Sequence, residues 1–266
     1  MTIQTPAAAP AEASTAPAIE VSGLRKSYGE LVAVDGISFT VGQNEIFGLL
    51  GPNGAGKTTT VEILEGLREA DSGDITVAGV DVRRDPERVK ALIGVQLQSS
   101  AFLDNLQLAE LIPLFASFYG RRVDPHAVLA KVDLAEKAKS YVKHLSGGQK
   151  QRFSIATALV NEPRVLFLDE PSTGLDPQAR RNLWDLVQTL RSEGRSIVLT
   201  THYMEEAEAL CDRVAIMDHG RILQLDTPDN LIQQLLDKGF RRAKVEREAN
   251  LEDVFIDLTG HELREG

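Results

Sequence analysis

The chain has 266 residues, of which 42% are hydrophobic and 26% charged, and its formal net charge is -10. That balance supplies a core, while the acidic excess argues against a nucleic-acid binder, whose affinity comes from Lys and Arg releasing counterions from phosphates. A single cysteine, Cys211, rules out an intrachain disulfide framework and suits a reducing compartment, and no apolar run approaches the roughly 20 residues of a membrane-spanning helix.

Residues 1–18 (MTIQTPAAAPAEASTAPA) are rich in Ala, Pro and Thr. They lack the basic start and continuous apolar stretch of a signal peptide, and their composition predicts a disordered leader. From Ile19 the pattern turns globular. Strand-like runs at residues 37–41, 45–50, 74–77, 93–95, 165–168, 197–200 and 214–217 are interspersed with helical segments. Runs such as VLFL and SIVLT are apolar throughout, as strands buried on both faces of a parallel sheet must be. This predicts an α/β domain. Residues 99–145 differ. Leu108, Leu111, Ile112 and Phe115, then Val128, Leu129 and Val132, follow helical spacing without a strand, which predicts a helical subdomain inserted into the α/β core. Asp176 before Pro177 is a helix start, and Leu183, Leu186, Val187 and Leu190 form one face of the helix behind it. The domain is expected to run from 19 to about 235. A tail at 236–266 carries a basic stretch (Lys238, Arg241, Arg242, Lys244), then Leu251, Val254, Phe255 and Leu258 on one helical face.

The most specific chemistry lies at residues 51–58, GPNGAGKT, which matches G-x-x-x-x-G-K-[ST] between a strand-like run and a helical one. Gly51, Gly54 and Gly56 let backbone N–H groups converge on an anion, and the helix that follows adds the positive end of its dipole. Pro52, Asn53 and Ala55 complete the loop, and Thr59 follows it. Lys57 supplies a charge for β- and γ-phosphates, and the Thr58 hydroxyl suits Mg²⁺. A second element supports the first. VLFL at 165–168 runs into Asp169 and Glu170, placing two carboxylates at the carboxyl end of a buried strand, where ligands of open α/β sheets bind. Asp169 suits Mg²⁺, and Glu170 suits the general base for a water attacking the γ-phosphate.

Three further motifs follow the cradle in order: Leu145-Ser146-Gly147-Gly148-Gln149, Pro171-Ser172-Thr173-Gly174-Leu175-Asp176, and Thr200-Thr201-His202. With these the chain from Ile19 to about Leu235 resembles the nucleotide-binding subunit of ABC transporters. They match that family's signature, D-loop and switch-histidine segments. The resemblance implies a P-loop fold with a mostly parallel core sheet, an antiparallel β subdomain and the inserted helical subdomain. It also implies ATP and Mg²⁺ as ligands. Two subunits, a second copy or a homologous one, would close head to tail, with each ATP between one cradle and the other chain's Ser146, Gly147, Gly148 and Gln149. Asp176, at the end of the D-loop-like segment, would be among the nucleotide-binding residues. His202 would contact the γ-phosphate and Tyr28 would stack on adenine. The family's Mg²⁺-sensing glutamine is offered by Gln96 or Gln98, and the Ile-Gly-Val-x-x-Gln spacing selects Gln98. The remaining histidines, His126, His144, His219 and His261, show no metal-site spacing and read as surface or core residues.

The tail LEDVFIDLTG at 251–260, with Glu262-Leu263-Arg264, and the FYG at 118–120 resemble the ATP-binding subunits of type-2 ABC exporters. These pair with a separate integral membrane permease, which implies a peripheral position on the cytoplasmic face of the membrane and no nucleic-acid partner. The helical subdomain would transmit motion to the permease. An importer ATPase would share every ATP-site motif and differ in the tail. A soluble translation-type ABC ATPase normally carries two motif sets, and this chain has one. Chromosome-maintenance relatives need a long coiled coil between cradle and signature, for which the stretch from Lys57 to Ser146 has no room. A non-ABC phosphotransferase would leave residues 146–149 unexplained.

Overall fold

The computed structural model describes residues 16–97, 102–103 and 105–241. The leader up to residue 15, Gln98, Arg242, Lys244 and the LEDVF segment lie outside them. In chain order the elements are β1 (Ile19–Tyr28), β2 (Leu31–Val41), β3 (Ile46–Leu50), α1 (Lys57–Leu64), β4 (Ser72–Val77), β5 (Val80–Asp81), α2 (Pro86–Leu92) and β6 (Ile93–Gln96). Then follow α3 (Leu108–Phe118), α4 (Pro125–Ala130), α5 (Gly147–Ala158), β7 (Val165–Asp169), α6 (Pro177–Ser192), β8 (Ser196–Thr201), α7 (Met204–Leu210), β9 (Arg213–Asp218), β10 (Arg221–Asp226) and α8 (Pro228–Asp237). The chain divides into a compact unit up to Leu231 and a second unit that begins at Ile232, inside α8.

The core sheet has the order β10-β9-β3-β8-β7-β6, parallel throughout except for β10 at one edge. Its central strands are apolar without alternation because both faces are covered. Leu166, Leu168, Ile197 and Leu199 pack on one side with the helices, including Phe153 of α5 and Leu183, Leu186, Val187 and Leu190 of α6. Phe47, Leu49, Phe167 and Val198 turn to the other side, against α1 and an antiparallel sheet of order β2-β1-β4-β5. Phe39 of that sheet stacks on Phe47 at 5.2 Å between ring centroids. Ala18 is already buried, donating to the Val41 carbonyl at 2.8 Å.

Between residues 105 and 145 lie α3 and α4, packed beside α5, with one isolated antiparallel bridge among the described residues, Gln107 to Tyr141. Strands β1 and β10 escape a reading by alternation. Register shifts beside Gly23 break the period of β1, and β10 is an edge strand carrying Arg221, Gln224 and Asp226. Strand β2 starts at Leu31, earlier than the apolar run at 37–41, because its pairing with β1 continues out to Leu31 opposite Tyr28.

Candidate active site

Buried β3 delivers the chain to Gly51, where no side chain fits: a Cβ there would stand 2.2 Å from the Met217 carbonyl. Gly56 has a φ of 99°, and its Cβ would meet the Ala33 carbonyl at 2.3 Å. The loop between them is therefore clasped by β2 and by the turn from β9 to β10. Gly220 donates its N–H to the Ala55 carbonyl at 3.1 Å, while Asp35 donates to Gly220 at 2.8 Å. Helix α1 starts at Lys57 with no side-chain cap, which leaves its first amides to an anion. Lys57 is buried, and its Nζ donates to the carbonyls of Gly51 at 2.7 Å and Pro52 at 3.0 Å. Burial lowers its pKa, against the opposing pull of Glu170 and Asp169.

Strand β7 ends on Asp169, which accepts a hydrogen bond from Thr200 Oγ1 of the neighbouring β8. At Glu170 the chain leaves the sheet with a φ of 45°, an uncommon conformation for a residue with a side chain. Its N–H donates to Thr200 O at 3.2 Å and Thr200 Oγ1 at 3.1 Å. The turn brings Glu170 Oε1 to 3.1 Å from Nδ1 of His202, while Thr173 Oγ1 donates to Oε2 at 3.3 Å.

A cleft of about 500 Å³ gathers Tyr28, Asn53, Gly54, Gly56, Lys57, Thr58, Thr59, Asp169 and Glu170, together with Leu31, Val32, Ala33 and His219. Tyr28 is 40% exposed, with the Arg68 guanidinium 5.3 Å from its ring centroid. His202 joins this group through Glu170. Residues Ser146, Gly147, Gly148, Gln149 and Asp176 do not line the cleft. Ser146 caps α5, accepting from Gln149 N at 3.3 Å while Gln149 Oε1 accepts from Ser146 N at 3.0 Å. Asp176 caps α6, accepting from Ala179 N at 2.7 Å. Gln98 lies outside the described residues. Gln96 ends β6 opposite Leu168 and buries an Oε1 that has no hydrogen-bond partner among the described residues.

One residue of the cleft and one that feels Asp169 from beside it have no counterpart among the expected site residues. His219 sits in the β9–β10 turn, which brings it to the cleft although nothing in the motifs marks it. Glu65, at the end of α1, is almost fully buried, and burial, with Asp169 and Glu62 nearby, pushes its pKa up to about 8. Among the described residues no three His, Cys, Asp or Glu side chains cluster as a metal site. The Thr58 hydroxyl and Asp169 carboxylate lining one cleft nevertheless fit Mg²⁺, which is held in phosphate sites by one or two protein ligands plus the phosphates. A carboxylate beside a histidine, facing an anion cradle and a lysine, can drive water onto a terminal phosphate.

Comparison with known proteins decides between the families that use such a cradle. Residues 34–173 match the family model described as ABC transporter. The chain is 41% identical over 224 residues to the Nod factor export ATP-binding protein I of Ralstonia nicotianae, covering 81% of this chain and 69% of that protein. It is 37% identical over 258 residues to the linearmycin resistance ATP-binding protein LnrL of Bacillus subtilis, covering 92% and 83%. This chain belongs to the ABC transporter ATP-binding family. A solved ATP-binding subunit of an ABC transporter superposes with a TM-score of 0.72 at 29% identity, covering 91% of this chain and 99% of that one. The protein is thus an ABC ATPase with an α/β fold, and its substrate is ATP. The matched span includes the cradle, residues 145–149 and Glu170. Asp176 and His202 fall beyond it; the geometry above brings His202 to Glu170 and leaves Asp176 outside the cleft.

Proposed function

We propose that this chain is the ATP-hydrolysing subunit of an exporter, working through a separate membrane protein that holds the transport path. The observation that carries the reading is the Glu170–His202 pair at the rim of the Lys57 cradle. The names of the relatives, Nod factor export and linearmycin resistance, give the direction. Among the described residues no helix is long and apolar enough to cross a membrane, and the relatives' names as ATP-binding proteins of export and resistance support a path held by a partner. The chain then works at the cytoplasmic face, peripheral through that partner.

In this reading Tyr28 stacks on the adenine, and the loop from Gly51 to Gly56 with the first amides of α1, including Thr59, cradles the phosphates. Lys57 swings from the Gly51 and Pro52 carbonyls to the β- and γ-phosphates. Thr58 and Asp169 would hold Mg²⁺, with Gln98 sensing it, and the ion would supply charge neutralisation at the phosphate oxygens. Glu170 takes a proton from the attacking water while His202 holds the carboxylate and the γ-phosphate in line. Ser146, Gly147, Gly148, Gln149 and Asp176 serve the nucleotide of a second copy, which closes on this one when ATP binds. A groove of about 740 Å³ rimmed by exposed Leu67, Leu97, Phe118 and Tyr119 beside the helical insert is the surface offered to the permease.

Glu170→Gln tests the mechanism. It should lower turnover at least about 100-fold while ATP affinity stays at the wild-type value and an ATP-bound dimer accumulates. Wild-type turnover in this variant would remove Glu170 as the base.

A further inference from the structure

Three segments meet at one buried carboxyl group that the scheme above does not use. Glu206 of α7 is 1% exposed. Its Oε1 accepts from Ser172 Oγ at 2.6 Å and from Trp184 Nε1 at 3.3 Å, and its Oε2 is buried with no hydrogen-bond partner among the described residues. Ser172 is fully buried and stands two residues after Glu170. Glu206 stands four residues after His202. Trp184 is on α6, whose Arg180 also places its guanidinium 5.2 Å from the Tyr203 ring centroid, and that ring lies against His202, tilted by 37° with 4.1 Å between centroids. Helix α6 is thus a common backing for the segment that bears the base and the segment that bears the histidine.

We infer that Glu206 is a positioning residue for ATP hydrolysis: through Ser172 and Trp184 it holds the Glu170 turn and the His202 segment in one frame. A buried carboxyl oxygen shared by two donors fixes both against a single point, and removing either partner leaves a buried polar group unmatched. The 3.1 Å contact between Glu170 and His202 spans residues on two different strand ends. The Glu170 N–H bonds to Thr200 join the two strand ends on the sheet side of that contact, and the Ser172–Glu206 bond is a second tie between the two segments beyond it. The inference rests on the ATPase reading and names a residue that acts through others.

The test is a double-mutant cycle on the full chain, with steady-state ATP turnover as the readout. Ser172→Ala and Glu206→Ala should each lower kcat by about 10- to 100-fold, the scale expected when reacting groups are misplaced by an ångström, with KM for ATP unchanged. The double variant should be no slower than the slower single one, because the two residues act through one bond. Glu206→Gln keeps an acceptor oxygen for both donors and should stay within about threefold of wild-type kcat. Ser172→Ala removes one oxygen atom, so it keeps the test decisive if Glu206→Ala fails to fold. Wild-type kcat in Ser172→Ala, losses that multiply in the double variant, or a loss confined to KM would each overturn the inference. An inactive Glu170→Gln beside a fully active Ser172→Ala would overturn it alone, whereas a wild-type chain without ATP turnover would overturn the function itself.

Discussion

Two ionisable residues show how burial changes what a side chain does. Lys57 loses hydration on entering the loop, which weakens its hold on a proton, and the carboxylates Asp169 and Glu170 restore part of that hold. Glu65 goes the other way: burial raises its pKa from an ordinary 4.5 to about 8. Between those values the folded chain keeps a proton that the unfolded chain releases, so stability falls as pH rises through this window. Glu65→Gln removes the titration. Its melting temperature should therefore decline less than that of the wild type as pH is raised from 4.5 toward about 8, and parallel declines would show that Glu65 is not the group responsible. The motif residues of the cradle were legible because their chemistry is local: three glycines, a lysine and a hydroxyl within a few positions. Neither Glu65 nor His219 could be read that way. The first is set by the packing around the end of α1 and the second by a hairpin turn distant in sequence, and neither resides in a motif.

At the level of elements, legibility followed burial. Strands β7 and β8 are covered on both faces and could be recognised as unbroken apolar runs, while the bulged β1 and the polar edge strand β10 carry no comparable pattern. Helix α6 was legible twice over, from its Asp176-Pro177 start and from its apolar face. Those two signals differ in strength. Asp176→Ala removes one capping bond and should cost about 1 kcal/mol. Leu186→Ala opens a cavity under the helix and should cost about 2–5 kcal/mol. Denaturant midpoints at constant slope would check the pair, and a larger loss at Asp176 would mean that the cap rather than the buried face holds α6 in place.

Across the compact unit the site has one address. Gly51, Asp169, His202 and His219 each lie at or just past the carboxyl end of β3, β7, β8 or β9, four strands adjacent in the core sheet. The sheet therefore assembles from distant sequence a row of groups that no local pattern could join: Glu170 and His202 were each expected at the γ-phosphate, but their contact with each other comes from the fold. Ser146–Gln149 and Asp176 remain outside that row, which suits a role toward another chain. Ser146→Arg should leave ATP binding by the single chain at wild-type affinity while preventing the dimer that Glu170→Gln accumulates with ATP, as sedimentation would show. A dimer of unchanged strength would place the interface elsewhere.

The hydrogen bond from Gly220 to Ala55 also has a consequence for biosynthesis. The cradle's sequence leaves the ribosome early, but the hairpin that clasps it is translated only after the helical insert, β7 and β8. A nascent chain therefore carries the nucleotide motif long before it has the wall that shapes it. The backbone bond that closes the cradle can thus form only late in translation.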